Sequence, residues 1–415
     1  MSPTRWRPRT LLDSPHRLCF FGAGVQWLAS ALWWAATLVW GGDMAGVPSV
    51  ALHALWFSLG AMPLFIVGFV LTAGPKWVQA PAVEASGLRV GVVVFSLGWL
   101  LTALGAALDG RVAAAGLLAA ASGLGLLTWR AVLMVRGSTR ADTLHPRLIV
   151  GALGLMSLGL VGAAWAVWAA QGGMLVAMAR AALWWGPVSV FIVASHRMLP
   201  FLGDGLWPAL ERRWPRWPLW LLVSVAASQG AWAFSPGTGG EIGRGLNSAH
   251  LLLACAGSAA LTLRWLGAPA LKSALVRMLY GASLWWLIAL LMLAAAAWPG
   301  LAPDAARRLH MAGLHALTVG YLGGTLLAMA TRVSATHQGR SQAIDGQGRL
   351  LFAVLQAATA LRVAAAWWPA YSGLMLPAAG VAWLLVALVW TARHGRWLGQ
   401  QPAARGPKAS GVARA

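Results

Sequence analysis

The chain has 415 residues, of which 59% are apolar and only 10% charged, with a net charge of +21. A water-soluble domain carries about a quarter charged residues, so too little polar surface exists here to cover a water-facing exterior, and a soluble globular protein is excluded. The basic residues fall between apolar runs, not along one solvated face, which argues against nucleic-acid binding despite the high isoelectric point.

The amino end, Met1 to Arg17, is basic and polar. The first apolar run, Leu18–Trp40, is too long for a signal-peptide core and no small-residue cleavage site follows it, so it reads as a retained first helix. Crossing a bilayer takes roughly 20 helical residues. Runs of about that length follow at Ser49–Ala73, Val90–Leu108, Val112–Val135, Leu148–Ala170 and Met174–Ala194. The second half supplies Pro218–Phe234, Asn247–Leu266, Ser273–Trp298, Asp304–Val333, Leu350–Trp367 and Leu374–Ala392. The prediction is an all-α polytopic membrane bundle of about twelve transmembrane helices over residues 1–396. The remainder, 397–415, is rich in Gly, Pro, Ala and basic residues and is expected to be a disordered cytoplasmic tail near the lipid. Cys19 and Cys255 are too few for a disulfide framework.

Counting basic residues over alternate connections tests this layout. With the amino end inside, inner loops and tails hold 25 of the 31 Lys and Arg, and outer connections hold five: Arg111, Arg180, Arg244, Arg307 and Arg308. Arg362 lies within a span. That asymmetry supports an even number of spans with both termini cytoplasmic. The tryptophan doublets Trp33-Trp34, Trp184-Trp185, Trp285-Trp286 and Trp367-Trp368 read mostly as interfacial anchors.

The nine histidines sort by depth. His53, His250, His310 and His315 fall in the outer half of three spans, whereas His16, His145, His196, His337 and His394 lie at or beyond the inner ends. An imidazole inside a bilayer needs a partner, and a neutral imidazole ligates iron, copper or zinc. The outer four are therefore the candidate metal ligands. His310 and His315 are five apart, about 140° around a helix, so both cannot chelate one ion from a straight segment. Met311, four before His315, shares its face. Arg180 and Arg362 also lie in the outer half, with no carboxylate inside any span to pair with. A haem propionate would supply that anion, which makes the two arginines candidate cofactor contacts. At the inner ends, Arg197, Arg332, His337 and Arg340 form a basic motif with an expected structural or anion-binding role. No Walker loop, dinucleotide fingerprint, nucleophile elbow or HExxH motif is present, and no mid-membrane carboxylate suggests a proton pump.

Three stretches resemble the NnrS family of bacterial membrane proteins. One is His315-Ala316-Leu317-Thr318-Val319-Gly320, followed by Met329, Arg332, His337, Gly339 and Arg340. The second runs from Gly68 to Trp77, GFVLTAGPKW. The third is Arg197-Met198-Leu199-Pro200-Phe201. The twelve-span layout matches over essentially the whole chain. The resemblance implies haem and copper, and an association with nitric oxide, denitrification and tolerance of nitrosative stress. In one respect the chain departs from it. Where many members carry a WHAHEM-like stretch, this one reads Leu52-His53-Ala54-Leu55-Trp56-Phe57, so Leu55 and Trp56 stand in place of a second His and a Glu. A centre needing all three would be altered, which leaves copper open and allows one centre instead of two.

The leading expectation is a haem protein that binds or handles nitric oxide and draws on a membrane electron donor. The alternatives are a transporter or metal- and haem-trafficking protein, or a sensor or structural component without chemistry.

Overall fold

The structure, a computed structural model, describes residues 5–41, 47–202, 215–235, 239–263, 269–340 and 344–401. Among these there is no strand, and twelve long helical segments follow one another at the expected places. They are α1 (Pro15–Trp40), α2 (Ser49–Val78), α3 (Ala85–Leu108), α4 (Gly110–Arg136), α5 (Leu144–Trp168), α6 (Gly172–Met198), α7 (Trp217–Trp232), α8 (Gly240–Leu263), α9 (Ala274–Ala296), α10 (Pro303–His337), α11 (Gly346–Ala364) and α12 (Pro369–Leu398). Ten are both long and apolar enough to cross a membrane. The exceptions are α7, with 16 residues, and α11, with 19 residues that include Arg349 and Arg362. The fold is a polytopic helical bundle. Helix α12 continues to Leu398, which is buried, and most of the expected tail lies outside the described residues.

Side chains tie α1 to α12. At the end that carries both termini, Arg17 donates to the carbonyls of Leu398 (2.7 Å) and Gln400 (2.8 Å), joining the start of α1 to the end of α12. Thr391 of α12 donates to the carbonyl of Gly24 at 3.1 Å one level deeper. Helices α3 and α4 meet backbone to backbone. A Cβ on Gly98 would lie 2.3 Å from the Ala120 nitrogen, and one on Gly116 would lie 2.4 Å from the Thr102 nitrogen. Without a hydrophobic drive between helices in lipid, such small-residue contacts let backbones gain dispersion energy instead. The glycines recur every seven residues, at Gly91, Gly98 and Gly105 on α3 and at Gly116 and Gly123 on α4.

Three helices depart from α geometry, each for a local reason. In α2 the helix breaks at Gly60, between Leu59 and Ala61. Pro63 cannot donate to the Leu59 carbonyl and its ring crowds that position, which loosens the turn. In α6 residues Trp184–Val188 are π-helical around Pro187, with Ser189 Oγ bonding the Trp184 carbonyl at 2.9 Å. In α10 the π-helical stretch is Ala316–Gly323. Insertions of this kind often lie at functional sites, and all three neighbour the cavity described next. The tryptophan doublets do less anchoring than expected. Trp184 and Trp286 are buried, while Trp367 and Trp368 remain exposed.

Candidate functional site

At the end opposite the termini, α1, α2, α6, α10, α11 and α12 enclose a cavity of about 300 Å³. His53, on the second turn of α2, and His315, just before the π-helical stretch of α10, both line it. Their ring centroids are 6.4 Å apart and their planes 13° from parallel. Arg180 of α6 and Arg362 of α11 line the same cavity. Among the described residues neither arginine makes an ion pair, because the acidic groups that do pair all lie outside the spans or at their mouths. The remaining wall is apolar and aromatic, with Trp34, Phe57 and Trp383 prominent.

Local contacts set the tautomer of one histidine. The His315 Nδ1 lies 2.8 Å from the Met311 carbonyl, one turn back on the same helix. A carbonyl only accepts, so Nδ1 carries the proton and Nε2 presents its lone pair. Holding one ring nitrogen this way orients and strengthens the other as a metal ligand. Met311 contributes through its backbone and also lines the cavity. His53 is held by packing. Its ring stacks on Trp34 at 4.0 Å and contacts Phe57 at 4.4 Å, and its buried Nδ1 has no hydrogen-bond partner. Trp34, which the sequence offered only as half of an anchoring doublet, is thus a positioning residue. Its signal was the spacing of one loop between Trp34 and His53, which brings consecutive antiparallel helices together.

The other predicted residues sit apart from this pair. His250, on α8, faces α7, where Ser224 Oγ is 2.9 Å and Ser228 Oγ 3.4 Å from its ring nitrogens. His310 does not line the cavity, and its Nε2 is buried without a partner. Leu55 and Trp56 point away from the cavity into the core. Both are buried, Trp56 donates to Gln26 Oε1 at 2.9 Å, and its ring lies 5.9 Å from that of Trp99 at 4°. The departure at positions 55 and 56 therefore changes the α1–α3 packing and leaves the cavity wall untouched. Among the described residues no three His, Cys, Asp or Glu side chains converge closely enough to hold a bare metal ion.

The inner motif lies at the terminal end, in several contacts. His337 packs its ring 4.1 Å from that of His16, and Arg197 lies over Trp77 at 5.1 Å. Gly339, just past the end of α10, takes φ +68° in the left-handed region that glycine tolerates, so that the Arg340 amide bonds back to the Ala335 carbonyl at 3.1 Å. The Arg340 guanidinium then stacks on Trp397 at 4.3 Å, and Arg393 covers the same ring at 4.5 Å. Cation–π contacts of this sort are worth about 0.5–2 kcal/mol each. Arg332 is half-buried on the same helix. Beside this motif, Asp345 caps α11 and pairs with Arg393, which holds its carboxyl down to about 2. The Asp142 carboxyl is also lowered, first by the Leu144 amide and then by Arg216 at 3.0 Å.

A polytopic helical bundle with a largely apolar cavity at one end, holding two histidines and two arginines, defines an integral membrane protein built around that cavity. The family described as NnrS protein matches residues 10–401, and the chain belongs to the NnrS family. No curated protein matches it.

Proposed function

We propose that this chain is a membrane haem protein that binds nitric oxide at the cavity between α2, α6, α10 and α11. The observation that carries the reading is the pairing of His53 with His315 beside two arginines that lack anions. Two imidazoles are too few for a bare ion, but haem brings four equatorial nitrogens of its own and needs only axial protein ligands. A metal–nitrogen bond is about 2 Å, so rings whose centres lie 6.4 Å apart are close enough to serve one centre. His315, with its Nε2 lone pair presented, and His53 beside it are the residues that would hold the haem iron in this reading. Arg180 and Arg362 hold the propionates, which explains why two guanidinium groups remain in a membrane without carboxylates. Bound haem supplies an iron that takes a diatomic ligand.

Family membership supports the link to nitric oxide and nitrosative stress. Copper rests on the family alone, since Leu55 and Trp56 are packed in the core. The bias of basic residues supports an inner-membrane location with the terminal end in the cytoplasm. The test is an absorption spectrum of the purified protein with metal analysis. A Soret band near stoichiometric with iron, shifted when nitric oxide is added to the reduced protein, is expected. Protein that is folded and colourless after expression with ample haem would overturn the reading in favour of a transport or trafficking role.

A further inference from the structure

A second cavity, of about 200 Å³, lies between α1, α2, α5, α6, α7, α8, α9 and α10, toward the terminal end of the bundle. Its walls are mostly apolar, with the aromatic faces of Phe65, Phe191 and Trp286 among them. Tyr321 of α10 reaches it from mid-helix, its ring 5.1 Å from that of Trp286. The Tyr321 hydroxyl is buried, and its one contact among the described residues is Ser195 Oγ at 3.4 Å. That is longer than the 2.5–3.0 Å of an ordinary hydroxyl bond, and buried polar groups ordinarily have a proper partner. Thr325, four residues on and so on the same helical face, also lines the cavity and bonds to no described residue. Of the other lining hydroxyls, Thr262 and Ser283 donate back to their own helices at 2.9 Å and 2.8 Å, whereas Ser258 keeps its own proton to donate. Ser258 accepts from Trp286 Nε1 at 3.0 Å, and His196 is bonded to His145 at 2.9 Å and to the Pro215 carbonyl at 3.0 Å.

We infer that this cavity binds the head group of a lipid-soluble quinone. Its ring lies between the aromatic walls, and one carbonyl oxygen accepts from Tyr321. The ligand must come from the membrane, because the cavity is apolar and within the bundle's spanning part. It must carry a hydrogen-bond acceptor, because the hydroxyls of Tyr321, Thr325 and Ser258 line the cavity with donor capacity to spare. A flat ring matches the aromatic walls. A phospholipid acyl chain would meet the apolar walls but leave Tyr321 and Thr325 unsatisfied. The π-helical stretch Ala316–Gly323 lies between His315 and Thr325 and sets their relative rotation, so one helix serves two cavities.

The experiment is equilibrium binding of decylubiquinone to the full chain in lipid nanodiscs, against empty nanodiscs. Saturable binding is expected. Tyr321→Phe, which keeps the ring and removes the donor, should weaken it roughly fivefold, the loss of about one neutral hydrogen bond. Leu222→Trp, which fills the cavity, should abolish it. Thr325→Val is the companion variant if Leu222→Trp fails to fold, and should also weaken binding. No saturable binding above empty nanodiscs, or unchanged affinity in Tyr321→Phe and Thr325→Val, would overturn the inference. So would a cavity occupied by an acyl lipid that decylubiquinone does not displace. Binding is measured without reference to haem, so a colourless protein that binds the quinone leaves this inference standing while the haem reading falls.

Discussion

His53 and His315 come from helices far apart in the sequence, yet their imidazole rings lie 6.4 Å apart and nearly parallel. Each is fixed differently, His315 by the Met311 carbonyl and His53 by the face of Trp34. If they form one haem centre, removing either imidazole should act on the spectrum directly. His315→Ala is expected to abolish the Soret band, and His53→Ala to shift or abolish it, because axial ligation sets the absorption. His337→Ala is the control. Its ring packs on His16 at the terminal end, about one bilayer thickness away, and the spectrum should not change. Spectra of the three purified variants decide the matter, and a band lost only in His337→Ala would move the centre to the other end.

Arg362 should behave unlike a ligand. It lines the cavity beside His315 with no anion of its own, so in the haem reading it holds a propionate and leaves iron ligation alone. Contacts of this kind typically change affinity about 10- to 100-fold. Arg362→Ala is thus expected to keep a Soret band but lose haem faster to apomyoglobin in a transfer assay. Arg362→Lys should recover only part of the retention, since an ammonium lacks the planar fork of a guanidinium. Equal transfer rates in all three proteins would remove Arg362 from the site.

The sequence carried the helices and the depth of the candidate side chains, and stopped at their rotation. Each span is an apolar run bounded by polar residues, so length and hydropathy alone place it. Depth follows from position in the span, which is why His53, His315, Arg180 and Arg362 could be set at one level. Which neighbour a side chain faces depends on helix packing, and that is not in the hydropathy pattern. His250 shares the depth but points at Ser224 and Ser228 of α7. Leu55, two residues past His53, turns to the opposite face, and Trp56, about 60° around from His53, is drawn into the core by Gln26 and Trp99. The break at Gly60 and the two π-helical stretches add further rotation that a regular helix would not have. The second cavity was invisible for a similar reason, since its lining comes from eight helices. One readable signal was the glycine repeat of α3 and α4, whose seven-residue spacing marks a continuous close seam.

That seam gives a stability prediction. A methyl group at Gly98 would sit 2.3 Å from the Ala120 nitrogen, a distance only a shift of the helices could relieve. Overpacking of this kind costs about 1–3 kcal/mol. Gly98→Ala should lower the Tm in detergent clearly. Gly125→Ala, on α4 but facing open space, should leave it unchanged or slightly raised, because alanine is the better helix former. Matching melting curves for the two variants would mean that α3 and α4 are not in backbone contact.

The Asp345–Arg393 pair predicts a pH dependence. The Asp345 carboxyl titrates at about 2, lowered mainly by its hydrogen bonds to Arg393. Its value in the unfolded chain is about 3.9, so folding favours the ionised form. The stabilisation is complete above about pH 4 and is lost as the pH falls through the folded value. At neutral pH the pair is fully formed and joins α11 to α12. Because the carboxylate is half exposed, its contribution should be small, under about 1 kcal/mol. Asp345→Asn should lower the Tm slightly at pH 7, and the gap from the native protein should narrow toward pH 3. A gap that widens on acidification would contradict the assignment.

Topology is the last expectation open to direct test. The turns after α4 and before α5, around Ser138, lie at the terminal end, where Ser138 Oγ bonds the Val78 carbonyl at 2.8 Å. The turn between α9 and α10, around Gly300, lies at the other end with the candidate haem cavity. Basic residues concentrate at the first end, with Arg136, Arg140 and Arg147 flanking Ser138 itself. Translocating such a cluster is unfavourable, so that end should remain in the cytoplasm. Phosphatase and fluorescent-protein fusions at Ser138 and Gly300 should report opposite sides, with Ser138 cytoplasmic. The same side for both would mean that one of the shorter or less apolar helices between them, such as α7, does not cross. Opposite sides with Gly300 cytoplasmic would invert the protein and turn the histidine cavity to face the cell interior.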